Sequence, residues 1–317
     1  MLTALVLEAA LRLCGYTLNY LDGRAFVPSK NPEILYELCP GFRGLYAATP
    51  ISINSEGFRG EELLNHDVPA FRVVVIGDSI VFGQGVRDQE TLAGQLSTRL
   101  RQKLGEPVEV INLGVPGYNT TQEYWTFKER ALPLKPQVCL LLYCANDTDP
   151  PPFQIKDNAV MSPDLRTGIG GDFHNLARKK SALYNLVWMR WHMLKHGHRV
   201  AIKRYREELT MKFAEANPGW KKSQSSLVDL ISLARARSIR TIVIPYPLPS
   251  GLREKPYPFQ FYINAAFETA KAAGAECLDV IPMLQDPSIR LTVGPVEPHP
   301  SAQVYARIAE ELEKMLR

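Results

Sequence analysis

Residues 73 to 79, with the sequence VVVIGDS, place the strongest constraint on the fold. A short run of β-branched residues that ends at a glycine predicts a strand buried on both faces, as in a parallel sheet. Gly77, Asp78 and Ser79 are ordinary turn residues, because glycine permits positive φ and the other two bond to nearby backbone groups. They also fit a serine nucleophile beyond the carboxyl end of a strand, where open α/β sheets bind ligands. The phosphate-loop pattern G-x-x-x-x-G-K-[ST] is absent.

Strand and helix patterns alternate from Phe71 to the end of the chain. Such alternation implies βαβ units and a mostly parallel sheet, so the fold class is α/β. We predict strands near 73–76, 108–114, 138–144, 241–249 and 276–284, with helices near 89–104, 121–132, 223–238, 259–273 and 301–317.

The remaining segments suggest how the chain is organised around this domain. Residues 1–16 are an apolar helix, and residues 17–70 are rich in Pro, Gly and Asn and predict an extended lead-in that wraps the domain. The domain itself spans residues 71–317. Within it, residues 149–215 contain no convincing strand pattern and predict a helical cap, inserted between the third and fourth strands.

The N-terminal helix has two interpretations. It is shorter than the roughly 20 residues that a membrane span needs, and it lacks the basic start and the cleavage site of a signal peptide. Glu8 and Arg12 lie on one helical face and leave an apolar face opposite. That face packs on the protein body or contacts a membrane surface, and we favour the membrane contact. The sequence leaves open a membrane-associated, cytoplasmic or cell-envelope location.

Composition excludes several classes of protein. The chain has 317 residues, 45% hydrophobic and 22% charged, with a formal net charge of +4, which indicates a globular protein and no nucleic-acid partner. Its five cysteines form no C-x-x-C pattern. His192 and His196 have the i, i+4 spacing of a metal pair but lack a third ligand. We therefore predict neither a metal site nor a cofactor.

Four loops carry groups that ester chemistry requires. The first three strands end in Gly77-Asp78-Ser79, in NLGVPG (112–117) and in CAND (144–147), and EPHPS (297–301) precedes the last helix. A serine hydroxyl needs a histidine to remove its proton, and the histidine needs a partner that fixes its tautomer. The oxyanion needs donors that are fixed in advance, which glycine N–H groups and an asparagine amide supply.

These blocks, in this order, resemble the SGNH (GDSL-type) hydrolase family. The resemblance covers about residues 50 to 317 and identifies Ser79, Gly114, Asn146 and His299 as the family's four characteristic residues. ISINSEGFRG (51–60) is similar to the lead-in of the membrane-associated bacterial branch. The resemblance implies a three-layer α/β/α sandwich with a flavodoxin-like sheet of about five strands, plus the helical insertion.

The family pattern also implies roles for these residues. Ser79 is the nucleophile, His299 is the general base and then the general acid, and the oxyanion hole consists of the Ser79 N–H, the Gly114 N–H and Asn146. Cys144 stands where the family usually has a glycine. Val296 stands where it commonly has the triad aspartate. Glu297 is then the third member of the triad, or a backbone carbonyl orients His299, and we favour Glu297.

The expected function is that of a serine-dependent carboxylic ester hydrolase (an esterase or lipase-like enzyme) that forms an acyl-enzyme intermediate. The substrate is a small-molecule, glycan or lipid ester. One alternative is an O-acetyltransferase or acetyl esterase that acts on a cell-surface polysaccharide. A second is a non-catalytic binding module that has kept the fold. The sequence does not identify the acyl group, the acceptor or the oligomeric state.

Overall fold

The strands of the protein are short, with two to six residues each. The structure is a computed structural model that describes residues 2–13, 25–47, 49–65, 68–156, 159–161, 177, 181–184, 186–187, 191, 198–294 and 298–316. In chain order the strands are β1 (Phe26–Pro28), β2 (Tyr36–Leu38), β3 (Arg43–Tyr46), β4 (Thr49–Ser52), β5 (Phe71–Ile76), β6 (Val108–Asn112), β7 (Val138–Tyr143), β8 (Gln154–Lys156), β9 (Ala159–Met161), β10 (Arg240–Pro245) and β11 (Glu276–Cys277).

Five of these strands form one parallel sheet in the order β11-β10-β7-β5-β6. Numbered along the chain, this order is 2-1-3-4-5, the flavodoxin-like arrangement. The predicted sheet of about five strands and its α/β class are confirmed. The sheet order reverses between β5 and β7, and ligands bind in the crevice beyond the carboxyl ends of strands at such a point.

Helices cover the sheet in two layers. Their bounds are α1 (Leu2–Leu13), α2 (Ser79–Phe82), α3 (Leu92–Leu104), α4 (Thr120–Thr126), α5 (His198–Lys212), α6 (Pro218–Ala236), α7 (Gln260–Ala273), α8 (Ile281–Leu284) and α9 (Ala302–Met315). Helices α3 and α9 pack on each other, and α6 packs between α4 and α7. The strand residues between the layers form the main core, in which Val73 to Ile76 are fully buried.

Two predicted elements differ in form from what the apolar pattern indicates. The fifth strand was expected over 276–284, but β11 stops at Cys277 and α8 begins at Ile281. Pro282 lies in the first turn of α8, a position that proline favours, and Asp279 Oδ1 accepts a hydrogen bond from the Ile281 N–H at 2.9 Å. The helix expected over 121–132 ends as an α-helix at Thr126 and continues through a wider π-helical turn over 127–131.

The lead-in contains ordered structure in its described part. β1 pairs with β2 and β3 pairs with β4, both antiparallel. Phe26, Tyr36 and Tyr46 from these hairpins form a second core cluster with Phe82 of α2 and with Phe153. The lead-in is therefore packed directly against the short helix that begins at Ser79.

The cap region differs from the prediction at its start. Residues 149–215 were expected to be helical, but β8 and β9 form an antiparallel hairpin. These strands have three residues each, too few for the alternation of apolar and polar residues to be recognised. Phe153 and Val160 are buried against the lead-in cluster, which explains why the hairpin forms. Helix α5 and helical residues at 182–184 and 186–187 belong to the helical part of the described cap.

Helix α1 is attached to the cap by one carboxylate. Glu8 accepts hydrogen bonds from Ser181 Oγ and from the N–H groups of Ala182 and Leu183, each at 2.9 Å. Partial burial opposes ionisation, but these hydrogen bonds and Arg12 lower the pKa of Glu8 to about 2. The apolar side chains of α1 are largely solvent-exposed, with Val6 61% accessible. Membrane contact by α1 stays a prediction.

No helix in the described ranges combines the length and the apolar character needed to cross a membrane.

We expect Glu8→Ala to release α1 from the cap, because three donors at residues 181–183 lose their acceptor. Amide hydrogen exchange over residues 2–13 should accelerate at neutral pH. In the wild type the attachment should weaken as the pH falls from about 4.3, the usual glutamate value, towards 2. Arg12→Ala is the matched control, since Arg12 is exposed and bonds to Glu8 within the same helix. Equal exchange in both variants would contradict this attachment.

Candidate active site

Ser79 is the first residue of α2, immediately beyond the carboxyl end of β5. Asp78 is the N-cap of this helix and accepts the Ile80 N–H at 2.8 Å through its carboxylate. Gly77 allows the sharp turn, because a Cβ there would lie 2.4 Å from the Val81 side chain. As the first helical residue, Ser79 has an N–H with no acceptor inside the helix. The site therefore combines a half-buried hydroxyl with an N–H group that has no acceptor within its own helix.

His299 reaches Ser79 from the opposite end of the chain. It lies in the loop before α9, where the Val293 N–H donates to the His299 carbonyl oxygen at 2.9 Å and Thr292 forms a β-bridge with Pro300. His299 Nε2 lies 2.9 Å from Ser79 Oγ. This is the hydrogen-bond distance at which imidazole can take a hydroxyl proton. The structure thus brings together two residues that are 220 positions apart.

Asp78 connects Ser79 to the loop that follows β7. Its Oδ2 accepts Asn146 Nδ2 at 2.9 Å and lies 3.4 Å from Ser79 Oγ, while Oδ1 also accepts Cys144 Sγ at 3.4 Å. Asp78 is 2% exposed, so these donors replace water around a buried carboxylate. Asn146 has a second amide hydrogen, which this contact leaves for another acceptor. The N-cap rule for Asp before a helix would have identified Asp78 from the sequence.

Gly114, which the family pattern implies as an oxyanion donor, has a hydrogen-bond partner within its own loop. Its N–H donates to Asn112 Oδ1 at 2.9 Å, and Asn112 Nδ2 donates to the Val81 carbonyl oxygen at 2.9 Å. A Cβ at Gly114 would lie 2.2 Å from the Phe82 nitrogen. The glycine is therefore needed because the loop crosses α2 at close range. Its N–H already has a partner, which the sequence did not reveal.

Gly117 presents an N–H group in the same loop. The Tyr118 N–H donates to the Val115 carbonyl oxygen at 3.1 Å, and Gly117 has φ +79°. Pro followed by a glycine with positive φ is typical of a type II turn, whose central N–H takes no part in the turn's hydrogen bond. Tyr36 Oη donates to the Pro116 carbonyl oxygen at 2.9 Å. Since a trans peptide points its C=O and N–H in opposite directions, Tyr36 also sets the direction of the Gly117 N–H.

The remaining predicted site residue is Glu297, which lies outside the described residues. Cys144 is described, and burial raises the pKa of its thiol well above the ordinary value, with Asp78 and Asp147 adding to the effect. A thiol held in this way is a weak hydrogen-bond donor rather than a nucleophile. Ser79 therefore has no competing nucleophile in Cys144.

Two further acids are buried behind the site. Glu123 is fully buried on α4, and neither of its carboxylate oxygens has a hydrogen-bond partner among the described residues. Burial raises the pKa of Glu123 well above its usual range, and Asp147 and Asp78 add to that shift. Asp147 Oδ2 accepts the Cys144 N–H at 3.0 Å and closes the loop that carries Asn146.

A cavity of about 400 Å³ lies between the lead-in, α3 and β6, and none of Ser79, Asn146 or His299 lines it. Several of its charged side chains are ion-paired, as in Arg59 with Asp88 at 2.8 Å. We assign no function to this cavity.

Comparison with known proteins places the chain in a family. Residues 75–307 match the GDSL-like Lipase/Acylhydrolase family. The chain belongs to this family. It is accordingly a hydrolase that acts on ester bonds, and the family prediction is confirmed, whereas the membrane-associated branch stays a prediction. No curated protein matched the sequence.

Solved structures with a similar fold include three hydrolases. The lipase/acylhydrolase from Enterococcus faecalis is 18% identical, covers 77% of this chain and 96% of its own, and has a TM-score of 0.43. A catalytic mutant of an acetylxylan esterase from Geobacillus stearothermophilus is 12% identical, with coverages of 77% and 93% and a TM-score of 0.46. An alpha/beta hydrolase enzyme from the metagenome of Lake Arreo is 13% identical, with coverages of 80% and 99% and a TM-score of 0.48.

We expect Glu123→Gln to remove a pH-dependent loss of stability. The pKa of Glu123 is raised in the folded state, so the folded protein keeps a proton that the unfolded chain loses above about pH 4.3. The free energy of unfolding of the wild type therefore falls as the pH rises from that value towards the folded pKa. In urea unfolding, the free energy of unfolding of the variant relative to that of the wild type should increase from pH 5 to pH 8. The control is Glu207→Gln, at an exposed position, and equal pH slopes in all three proteins would refute the interpretation.

Proposed function

We propose that this GDSL-family protein hydrolyses carboxylic esters through an acyl-enzyme intermediate on Ser79. The observation that carries the proposal is the 2.9 Å distance between His299 Nε2 and Ser79 Oγ. A serine at the start of a helix beyond a parallel strand, with a histidine at hydrogen-bond distance, is an activated nucleophile. Both side chains are half-buried, so an ester can approach them.

The reaction has two steps, the acylation of Ser79 and the hydrolysis of the acyl-enzyme. Ser79 Oγ attacks the ester carbonyl carbon while its proton passes to His299 Nε2. The tetrahedral intermediate then expels the alcohol, to which His299 returns the proton, and the acyl group stays on Ser79. Water, deprotonated by His299, attacks the acyl-enzyme. The bond from the acyl carbon to Ser79 Oγ then breaks, Ser79 Oγ takes the proton back from His299, and the carboxylic acid leaves. We assign the orientation of His299 to Glu297, on the basis of the sequence.

Three donors stabilise the oxyanion in this proposal. The Ser79 N–H has no acceptor within its helix, and Asn146 is held by Asp78 with one amide hydrogen to spare. For the third donor we propose the Gly117 N–H in place of the Gly114 N–H. The Gly114 N–H is bound to Asn112, whereas the turn geometry leaves the Gly117 N–H outside the turn's own hydrogen bond.

The nucleophile is tested by labelling with a fluorophosphonate. We expect wild-type protein to carry the adduct on Ser79 by mass spectrometry, and Ser79→Ala to lose both the label and the hydrolysis of p-nitrophenyl esters. His299→Ala should lower kcat by about 10⁴-fold or more, because the base is removed. Ser288→Ala is the control. Ser288 Oγ also bonds to an aspartate, Asp286, at 2.7 Å, but Ser288 is exposed, so we expect labelling and hydrolysis to be unchanged.

Labelling that persists in Ser79→Ala would overturn the assignment of the nucleophile. Glu297→Gln should retain more activity than His299→Ala, because only orientation and imidazolium stabilisation are lost. A series of p-nitrophenyl esters of increasing chain length measures the preferred acyl group. Faster consumption of an acetyl ester after the addition of oligosaccharide acceptors would indicate acyl transfer to a sugar instead of hydrolysis.

The assignment of Gly117 is tested through Tyr36. We expect Tyr36→Phe to lower kcat by about tenfold with little change in KM, because the Pro116–Gly117 peptide loses the hydrogen bond that orients its N–H towards the oxyanion. Tyr118→Phe is the matched control. It removes a hydroxyl from the same aromatic cluster, and that hydroxyl donates to the Tyr36 carbonyl oxygen instead. Equal kcat in the wild type and Tyr36→Phe would count against Gly117.

A further inference from the structure

Arg59 is buried beneath the helix that begins at Ser79, although it belongs to the lead-in and not to the strand-end loops described above. Its side chain is 1% exposed. The backbone of Arg59 forms β-bridges with Ile53 and with Asn112, the last residue of β6. These contacts hold the backbone from which the side chain extends towards α2.

The guanidinium group binds the C-terminal end of α2. Arg59 Nη1 donates to the carbonyl oxygens of Phe82 and Gly83 at 2.6 and 2.7 Å, and Nη2 donates to that of Val86 at 2.6 Å. Nε donates to Asp88 Oδ1 at 2.8 Å. The last carbonyl groups of a helix have no partners within it. Arg59 thus supplies donors to three carbonyl oxygens at the end of α2 and in the turn after it, of which the Gly83 oxygen also accepts the Val86 N–H at 3.2 Å.

Charge and packing favour the same placement. A cation is favourable at the C-terminal end of a helix, where the carbonyl dipoles concentrate negative charge. The guanidinium carbon of Arg59 also lies 4.5 Å from the centre of the Phe82 ring. The planar fork of arginine donates in several fixed directions at once, which a lysine ammonium cannot reproduce. The contacts therefore require arginine specifically, and not merely a positive charge.

Helix α2 needs such support because it has only four residues. A single turn fixes more backbone angles than its hydrogen bonds offset, so it is unstable without external contacts. Asp78 holds its first turn from the N-terminal side, and Arg59 holds its last residue. Any rotation of this turn would change the distance between Ser79 Oγ and His299 Nε2. A displacement of about 1 Å at a reacting atom can cost about 10²-fold in rate.

We propose that Arg59 is a positioning residue that fixes the nucleophile of the proposed reaction by clamping the C-terminal end of α2. The inference rests on the proposed function, since it concerns the geometry of Ser79. Arg59 acts through the backbone of α2, and it does not contact the substrate. The lead-in is on this view part of the catalytic apparatus, because it carries the clamp.

The test compares Arg59→Lys with Arg72→Lys. Arg72 is a matched buried arginine. Its Nε donates to Glu109 Oε2 at 2.6 Å and its Nη2 to the Val68 carbonyl oxygen at 3.1 Å, but it lies near the start of β5, at the far end from Ser79. Both variants are assayed at a temperature at which circular dichroism shows them fully folded. The measurements are kcat and KM for a soluble p-nitrophenyl ester and the rate of fluorophosphonate labelling.

We expect Arg59→Lys to lower kcat and the labelling rate by about tenfold each, with KM changed less than twofold. Arg72→Lys should keep wild-type kcat and labelling, whatever its effect on melting temperature. A purely structural role for Arg59 predicts a lowered melting temperature in both variants with wild-type kcat and labelling in both, and that result would overturn the proposal.

Asp88→Asn provides a second variant if Arg59→Lys does not fold. It keeps an acceptor for Arg59 Nε but removes the charge that holds the guanidinium group, so kcat should fall with KM unchanged. Wild-type kcat in Asp88→Asn would then overturn the proposal. Fluorophosphonate labelling of Ser79 in the wild-type protein is measured first. If the wild type is not labelled, the proposed function itself is refuted. If the wild type is labelled on Ser79 and the variants keep wild-type kcat, the proposed function stands and only the positioning role of Arg59 is refuted.

Discussion

A helix of one turn cannot maintain its own geometry, and the proposed nucleophile stands at the start of such a helix. Asp78 binds the N-terminal end of α2 and Arg59 binds its C-terminal end. Gly114 lets the loop after β6 cross the middle of the same helix at van der Waals distance. The site is therefore organised around the support of α2, to which the lead-in and two strand-end loops contribute.

The strand order explains why these supports converge. β5 and β7 flank the position at which the order of the sheet reverses. The loops after them diverge to opposite faces and leave a crevice there. Ser79 follows β5 and Asn146 follows β7, so both enter the crevice directly from buried strands. His299 is delivered by a loop rather than a strand, and a β-bridge between Thr292 and Pro300 restrains that loop. A rigid sheet thus supplies two of the three groups.

The parts of the site that the sequence predicted are those with a local signature. Ser79 and Asn146 follow apolar strands, and such positions can be recognised from the chain alone. The pairing of His299 with Ser79 spans 220 residues and came from the family resemblance. The choice between Gly114 and Gly117 depends on which way each peptide points, which the letters NLGVPG do not encode. Arg59 escaped notice because its partners are mainly backbone carbonyl oxygens, which are present at every residue.

Cys144, the departure from the family's usual glycine, has a physical role in this network. Asp78 is buried and has two carboxylate oxygens to satisfy. Oδ1 accepts the Ile80 N–H and the Cys144 thiol, and Oδ2 accepts Asn146 Nδ2 and lies 3.4 Å from Ser79 Oγ. A glycine at position 144 would provide no side-chain donor. Burial raises the pKa of the Cys144 thiol, so it keeps the proton that it donates. The side chain at position 144 therefore helps to hold the carboxylate that positions both Ser79 and Asn146.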